Sequence, residues 1–368
     1  MTETTESPAL NIKNCQASFP LIQGGMGVGV SLAPLAAAVA NEGGIGIISS
    51  ACLDRLVSRR TGQKLDSYQA MIEEVALARR LCTGGLIGVN IMFALQRDFE
   101  ASVRGAIDVG ADLIICGAGL PLNLPAIKNP GRTALVPIVS SARALELICK
   151  KWEKLGYRPD AAVLEGPLAG GHLGFKIETV DDPNNRLEVL LPQVLETAHQ
   201  FGDFPIIAAG GIFDRSDIMS CLDQGAAGVQ MGTRFLVAVE SSATLDYKLA
   251  AIKATTEDLV VATDPGSPCG LPFRLISSST MYQQALSGRC QPLCDKGYVL
   301  QRDKDGHFTQ CPAKIDANRH FCICNGLLNS AGYQDDPRGS LYTVGTNAYR
   351  LEKIEPVHII MNQLKGLA

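Results

Sequence analysis

From Phe19 to Phe235 short apolar runs alternate with longer stretches whose apolar residues fall three or four apart. The first spacing suits buried strands and the second suits helices packed on one face. Strands are expected at Phe19–Gln23, Gly46–Ile48, Ile87–Val89, Leu113–Cys116, Ala134–Val139, Ala162–Leu164, Ile206–Ala208 and Gly228–Met231. Between them, Leu35 and Val39 mark a helix that Ser31 would cap and Gly43-Gly44 would end. Met71, Val75 and Ala78 mark the next, followed by Phe99, Val103 and Ile107 closing at Gly110. Leu145, Ile148, Trp152 and Leu155 give another, and Ile218 and Leu222 lead to Gly225.

Eight strands alternating with helices call for parallel pairing through right-handed crossovers, and eight closes a TIM (β/α)8 barrel. A doubly wound open sheet is the rival, but the eight units fill Phe19 to Phe235 with little left over. The expected organisation is a polar leader over 1–18, a barrel over 19–236, and a cysteine-rich C-terminal extension over 237–368. In such a barrel the chemistry sits on the loops that follow the strands.

Two of those loops, Ala209-Gly210-Gly211-Ile212 and Gly232-Thr233-Arg234, follow the seventh and eighth strands. Glycine backbone beside a helix start presents N–H donors to a phosphate, and this fold often holds one there. A phosphorylated substrate or a cofactor such as FMN would use it; glycines serving tight turns alone are the simpler alternative. The first loop, Gly24-Gly25-Met26-Gly27-Val28-Gly29, fails as a dinucleotide fingerprint, because the third glycine position holds Val30 or Leu32 in either register. It reads better as backbone lying against a flat ring. Asn90, after the third strand, could bond the edge of that ring or cap its own loop.

The sixth strand ends at Glu165 and runs into Gly166-Pro167-Leu168-Ala169-Gly170-Gly171-His172. An imidazole titrating near pH ~6.5 suits general acid or base work. His172 could equally be a hydrogen-bonded loop residue, and Glu165 a structural carboxylate paired with an arginine.

Composition narrows the class. Charged residues make up 19% of the chain and apolar residues 46%, with a net charge of −4, so no basic surface suggests nucleic acid. The first ten residues lack the pattern of a signal peptide and no apolar run reaches the ~20 residues of a membrane helix, which leads to the expectation of a cytoplasmic protein without membrane contact. Of twelve cysteines, six crowd into the last third. Cys290, Cys294, Cys311, Cys322 and Cys324, with His307 and His320 among them, could supply four ligands to an iron–sulfur cluster or zinc, although no pair has the C-x2-C spacing. Loose or redox-active thiols are the alternative.

Five motifs in order carry a resemblance: F-P-L-I-Q-G-G-M-G from Phe19, G-V-N-I-M from Gly88, E-G-P-L-A-G-G-H-L-G from Glu165, I-I-A-A-G-G-I from Ile206 and G-V-Q-M-G-T-R-F from Gly228. Over roughly residues 19 to 255 the chain resembles the nitronate monooxygenase (2-nitropropane dioxygenase) family, which includes the flavin-dependent enoyl-[acyl-carrier-protein] reductases known as FabK. The resemblance implies an FMN-binding TIM barrel. Gly24, Gly25 and Met26 would lie along the flavin, Asn90 and Glu165 would bond it, and Gly210, Gly211, Gln230, Gly232 and Thr233 would hold its ribityl phosphate. His172 would be the catalytic residue, managing the proton of a nitroalkane or nitronate while oxygen serves as oxidant. On the alternative branch FMN reduced by NAD(P)H would act on an enoyl thioester, brought by acyl carrier protein, with electrons relayed through a metal cluster in the tail. An FMN-binding interaction protein is the non-enzymatic alternative, and a homodimer stays open. Ser267-Pro268-Cys269-Gly270-Leu271-Pro272 still looks like the family's segment that returns over the site; the stretch after it departs.

Overall fold

The computed structural model describes residues 8–290, 310–333 and 339–367. A hairpin of β1 (Leu10–Ile12) and β2 (Cys15–Ala17) comes first. The barrel strands are β3 (Leu21–Gln23), β4 (Ile45–Ser49), β5 (Leu86–Met92), β6 (Leu113–Gly117), β7 (Ala134–Val139), β8 (Ala162–Glu165), β10 (Ile206–Ala209) and β11 (Gly228–Met231). They pair in parallel and in chain order, and β11 closes on β3. Between β8 and β10 lies β9 (Gly171–His172), which joins β12 (Leu259–Ala262) and β13 (Phe273–Ile276) in a small antiparallel sheet outside the barrel.

All eight expected strands are present, and the open-sheet alternative is excluded by closure. Their apolar runs conceal an alternation of two. Leu113, Ile115, Ala134, Val136, Val163 and Ile207 point into the barrel, whereas Ile114, Leu135, Leu164 and Ile206 pack outward beneath the helices. Both faces are buried, so both sets are apolar, as a parallel barrel requires. The same alternation carries functional side chains inward at the C-terminal mouth. Glu165 follows Ala161 and Val163 on the inner face, and Asn90 and Gln230 fall in step on theirs, because Val89 and Val229 belong to the outer layer.

Three features depart from the sequence expectations. Residues 10–17 lie within the expected polar leader, yet Leu10, Ile12 and Ala17 are buried and pack with Ile22, Ile45 and Leu113 of the barrel interior. The alternation L-N-I and C-Q-A holds one apolar face in each tiny strand, too short a signal to stand out. Ser31 is not a helix cap. The helix Ala33–Asn41 starts after Leu32 without a side-chain cap of its own, and its Ala33 amide instead donates to Oε1 of buried Glu74 at 2.7 Å. Glu74 sits in the helix Ser67–Leu81 and also pairs with Arg60 from the helix Leu53–Thr61. That last helix has no counterpart among the sequence expectations. Among the described residues no helix is long and apolar enough to cross a membrane.

Candidate functional site

The first loop gains its shape from a buried network beneath it. Ser31 Oγ accepts hydrogen bonds from the Met26 amide at 3.0 Å and from Gln23 Nε2 at 2.8 Å, and lies 3.3 Å from the Gly24 carbonyl. Gln23 Oε1 accepts from the Ile47 amide at 3.1 Å, tying the loop to β4. Gln23 and Ser31 thus hold Gly24, Gly25 and Met26 against the mouth of the barrel. A Cβ on Gly25 would stand 2.2 Å from that of Asn90, so only glycine lets loop and strand approach this closely.

Around the mouth, Glu165, Ala209 and Gln230 stand side by side in the strand register, since Ala209 pairs with both neighbours. One cavity is lined by Gly24, Gly25, Met26, Asn90, Glu165, His172, Gly210, Gly211, Gln230, Gly232 and Thr233. Every sequence-derived residue outside the cysteine cluster therefore faces the same space. Asn90 lies within β5 rather than in a loop, and its side chain makes no hydrogen bond among the described residues, so it is not a loop cap. Glu165 forms no ion pair with an arginine there either. Burial pushes its carboxyl up to about 7.

At the opposite end, Gly210 and Gly211 take φ of +90° and +87°, a region that other residues rarely enter. Cβ atoms there would also stand 2.7 Å from the Gly166 carbonyl and 2.9 Å from Leu168. Gly345 and Asn347, which the sequence reading did not single out, close this end. The Gly345 amide donates to Thr233 Oγ1 at 2.8 Å, and Asn347 Nδ2 donates to the Gly211 carbonyl. Their only sequence signal is a short V-G-T-N run 112 positions beyond Thr233.

His172 is held from outside the barrel. Its strand β9 pairs with β13, opposite Phe273, whose ring meets the imidazole edge-on with centroids 4.7 Å apart. Nε2 lies 3.0 Å from Ser267 Oγ. The loop leading to His172 is clasped by Arg274, a buried guanidinium that donates to the carbonyls of Pro167 and Ala169 at 2.5 and 2.7 Å. Apolar surroundings push the imidazole down to about 4, so it is neutral at ordinary pH.

The residue set fits FMN. Gln230 Oε1 is a buried acceptor with no partner among the described residues, and the glycine backbone at both ends leaves a cradle that side chains would fill. Phe273, Ile323, Cys324 and Leu327 from the C-terminal extension add an apolar wall.

The cysteine cluster fares differently. Cys290, Cys311, Cys322 and Cys324 are buried. Asn325 Nδ2 donates to Cys322 Sγ at 3.1 Å, and the Cys290 amide donates to Asn318 at 2.9 Å. Among the described residues no group of three or more cysteine, histidine or acidic side chains is arranged to hold a metal. Cys294 and His307 lie outside the described residues.

Comparison with known proteins gives a consistent picture. The Nitronate monooxygenase family matches residues 9–366. A (3aS,4S,5R,7aS)-5-hydroxy-7a-methyl-1-oxo-octahydro-1H-indene-4-carboxyl-CoA dehydrogenase of Mycobacterium tuberculosis is 31% identical over 257 residues, covering 70% of this chain and 62% of that protein. The "Probable nitronate monooxygenase" of Staphylococcus aureus is 26% identical over 304 residues, covering 72% of this chain and 78% of its own. FabK from Thermotoga maritima superposes with a TM-score of 0.68 at 24% identity, over 97% of this chain and 93% of its own. Nitroalkane oxidase from Streptomyces ansochromogenes gives 0.68 at 22% identity, over 95% of each. The two solved structures speak for the fold; with the near full-length family match, the chain belongs to the nitronate monooxygenase family.

Proposed function

We propose that this protein is an FMN-dependent oxidoreductase that oxidises nitroalkanes or their nitronates with oxygen. The observation that carries the reading is a neutral histidine facing the same cavity as an orphaned amide oxygen and two glycine cradles. Gly24 to Met26 would lie along the ring of FMN, with Asn90, Glu165 and Gln230 at its polar edges. Gly210, Gly211, Gly232 and Thr233 would hold the phosphate. When bound, FMN would supply the electron-accepting centre. His172 would take the proton from the carbon bearing the nitro group, leaving the electron pair on the nitronate. Phe273 packs edge-on against the imidazole and Ile323 and Leu327 line the same cavity, and apolar surroundings favour the neutral ring.

A second reading, reduction or dehydrogenation of an acyl thioester with NAD(P)H as electron partner, draws on the carboxyl-CoA dehydrogenase relative and on that apolar wall, which suits an acyl body. Acyl carrier protein or coenzyme A would then bring the substrate.

The test is to reduce FMN-loaded protein with NADH or NADPH, then offer an enoyl thioester without oxygen, and separately to supply a nitronate with oxygen to the oxidised protein. Rapid turnover of the nitronate supports the first reading, and rapid reoxidation by the thioester supports the second. With a neutral nitroalkane, or with the enoyl thioester, as substrate, His172→Ala should retain flavin absorbance and lose about 100-fold or more in turnover. Full turnover by that variant would remove His172 from the chemistry, and no turnover with any substrate would favour an FMN-binding interaction protein.

A further inference from the structure

The hydrogen bonds around Ser267 say which nitrogen of His172 does the work. Ser267 is buried, 3% exposed, at the start of the segment that returns over the barrel mouth. Its Oγ accepts from the Cys269 amide at 3.1 Å and meets His172 Nε2 at 3.0 Å. A serine hydroxyl offers two acceptor sites and one donor. The amide of Cys269 occupies one acceptor site, which leaves the other acceptor site and the hydroxyl hydrogen to meet Nε2, one for each neutral tautomer of His172. Which of the two it uses follows from the ring nitrogen that must carry the lone pair for a proton handler.

Nδ1 is in a different position. It makes no hydrogen bond among the described residues, yet it is not among the buried atoms that lack a partner. It is therefore the ring nitrogen open to the cavity that His172 lines. The backbone around the ring is fixed as well: the Leu173 amide donates to the Pro272 carbonyl at 2.9 Å, and Gly171 pairs with Arg274.

We propose that Ser267 is a positioning residue that accepts the Nε2–H of His172, fixing the tautomer in which the lone pair of Nδ1 faces the substrate. It rests on the reading of His172 as the proton handler, and it assigns the acting atom. When Nδ1 takes the proton, the positive ring keeps its Nε2–H bond to Ser267, so the same hydroxyl serves both protonation states. No proton passes to Ser267, whose role is geometric and electrostatic.

The test uses FMN-loaded protein with 15N-labelled histidine. Long-range proton–nitrogen NMR distinguishes the two neutral tautomers, and the His172→Gln variant identifies which of the five histidines gives the signal. The expected result is an unprotonated Nδ1 and a protonated Nε2 in the parent protein. Ser267→Ala should then populate both tautomers and lower kcat about tenfold, with KM and flavin content little changed. Ser267→Thr, which keeps the hydroxyl, should recover most of kcat. A protonated Nδ1 in the parent protein overturns the proposal, as does a Ser267→Ala protein with parental tautomer and kcat. If His172→Ala stays active, the reading of His172 fails instead, and the tautomer measurement still decides the role of Ser267 at the ring.

Discussion

Glu165 and His172 face one cavity, and burial moves each toward its neutral form: the carboxyl up from 4.5 to about 7, the imidazole down from 6.5 to about 4. The consequences for stability run in opposite directions. Between pH 4.5 and 7 the folded protein holds a proton on Glu165 that the unfolded chain has released, so this carboxyl's contribution is lost as pH rises through that window. Between pH 4 and 6.5 the unfolded chain protonates His172 first, so that contribution is lost as pH falls. A Glu165→Gln protein keeps only the histidine effect. Its Tm relative to the parent should climb steadily from pH 4.5 to 7 in scanning calorimetry, and a constant difference would show that Glu165 titrates normally. At this scale the sequence was informative about identity. A polar residue closing an apolar run, as Glu165 does, has few structural uses at a barrel mouth. It was silent about environment, since each shift comes from burial that only the folded barrel mouth creates.

Elements are joined by polar side chains that no local pattern announces. Glu74 accepts from the Ala33 amide and pairs with Arg60, so one carboxylate joins three helices. The helix at Ala33 has no cap within its own sequence, and Ser31 is engaged in shaping the loop over 24–26. A serine before a helical pattern is the common cap signal, and here a stronger tertiary use overrides it. Replacing Glu74 by Ala strands a buried amide and removes the partner of Arg60. The expected cost is about 1–3 kcal/mol in urea unfolding. Glu74→Gln, which retains an acceptor for Ala33, should recover part of it. Equal stability of the Ala variant and the parent would mean that water replaces the carboxylate. The strands themselves were legible because burial on both faces makes each an unbroken apolar run. The helix Leu53–Thr61 was missed because its buried face is only Leu53, Leu56 and Val57.

For the whole molecule, the barrel is incomplete as a site without the chain that follows it. Ser267, Phe273 and Arg274 hold His172, Ile323 and Leu327 wall the cavity, and Gly345 and Asn347 close its end at Gly211 and Thr233. The cysteine-rich stretch lies in this same extension, and Cys324 faces the cavity beside Cys269. Spacing alone led to the expectation of iron or zinc, and it stands as a prediction. Protein purified without oxygen should carry close to one equivalent of zinc or of an iron–sulfur cluster by elemental analysis, and its absence would assign these thiols to packing. The sequence by itself determined the eight-fold alternation, the glycine loops and the identity of His172, because period, turn chemistry and reactive side chains are local properties. Only the tertiary structure decided that β9 pairs with β13, that Glu74 rather than Ser31 serves the first barrel helix, and which nitrogen of His172 is open. Those depend on contacts between residues about forty to one hundred positions apart, and such contacts leave no periodicity in the chain.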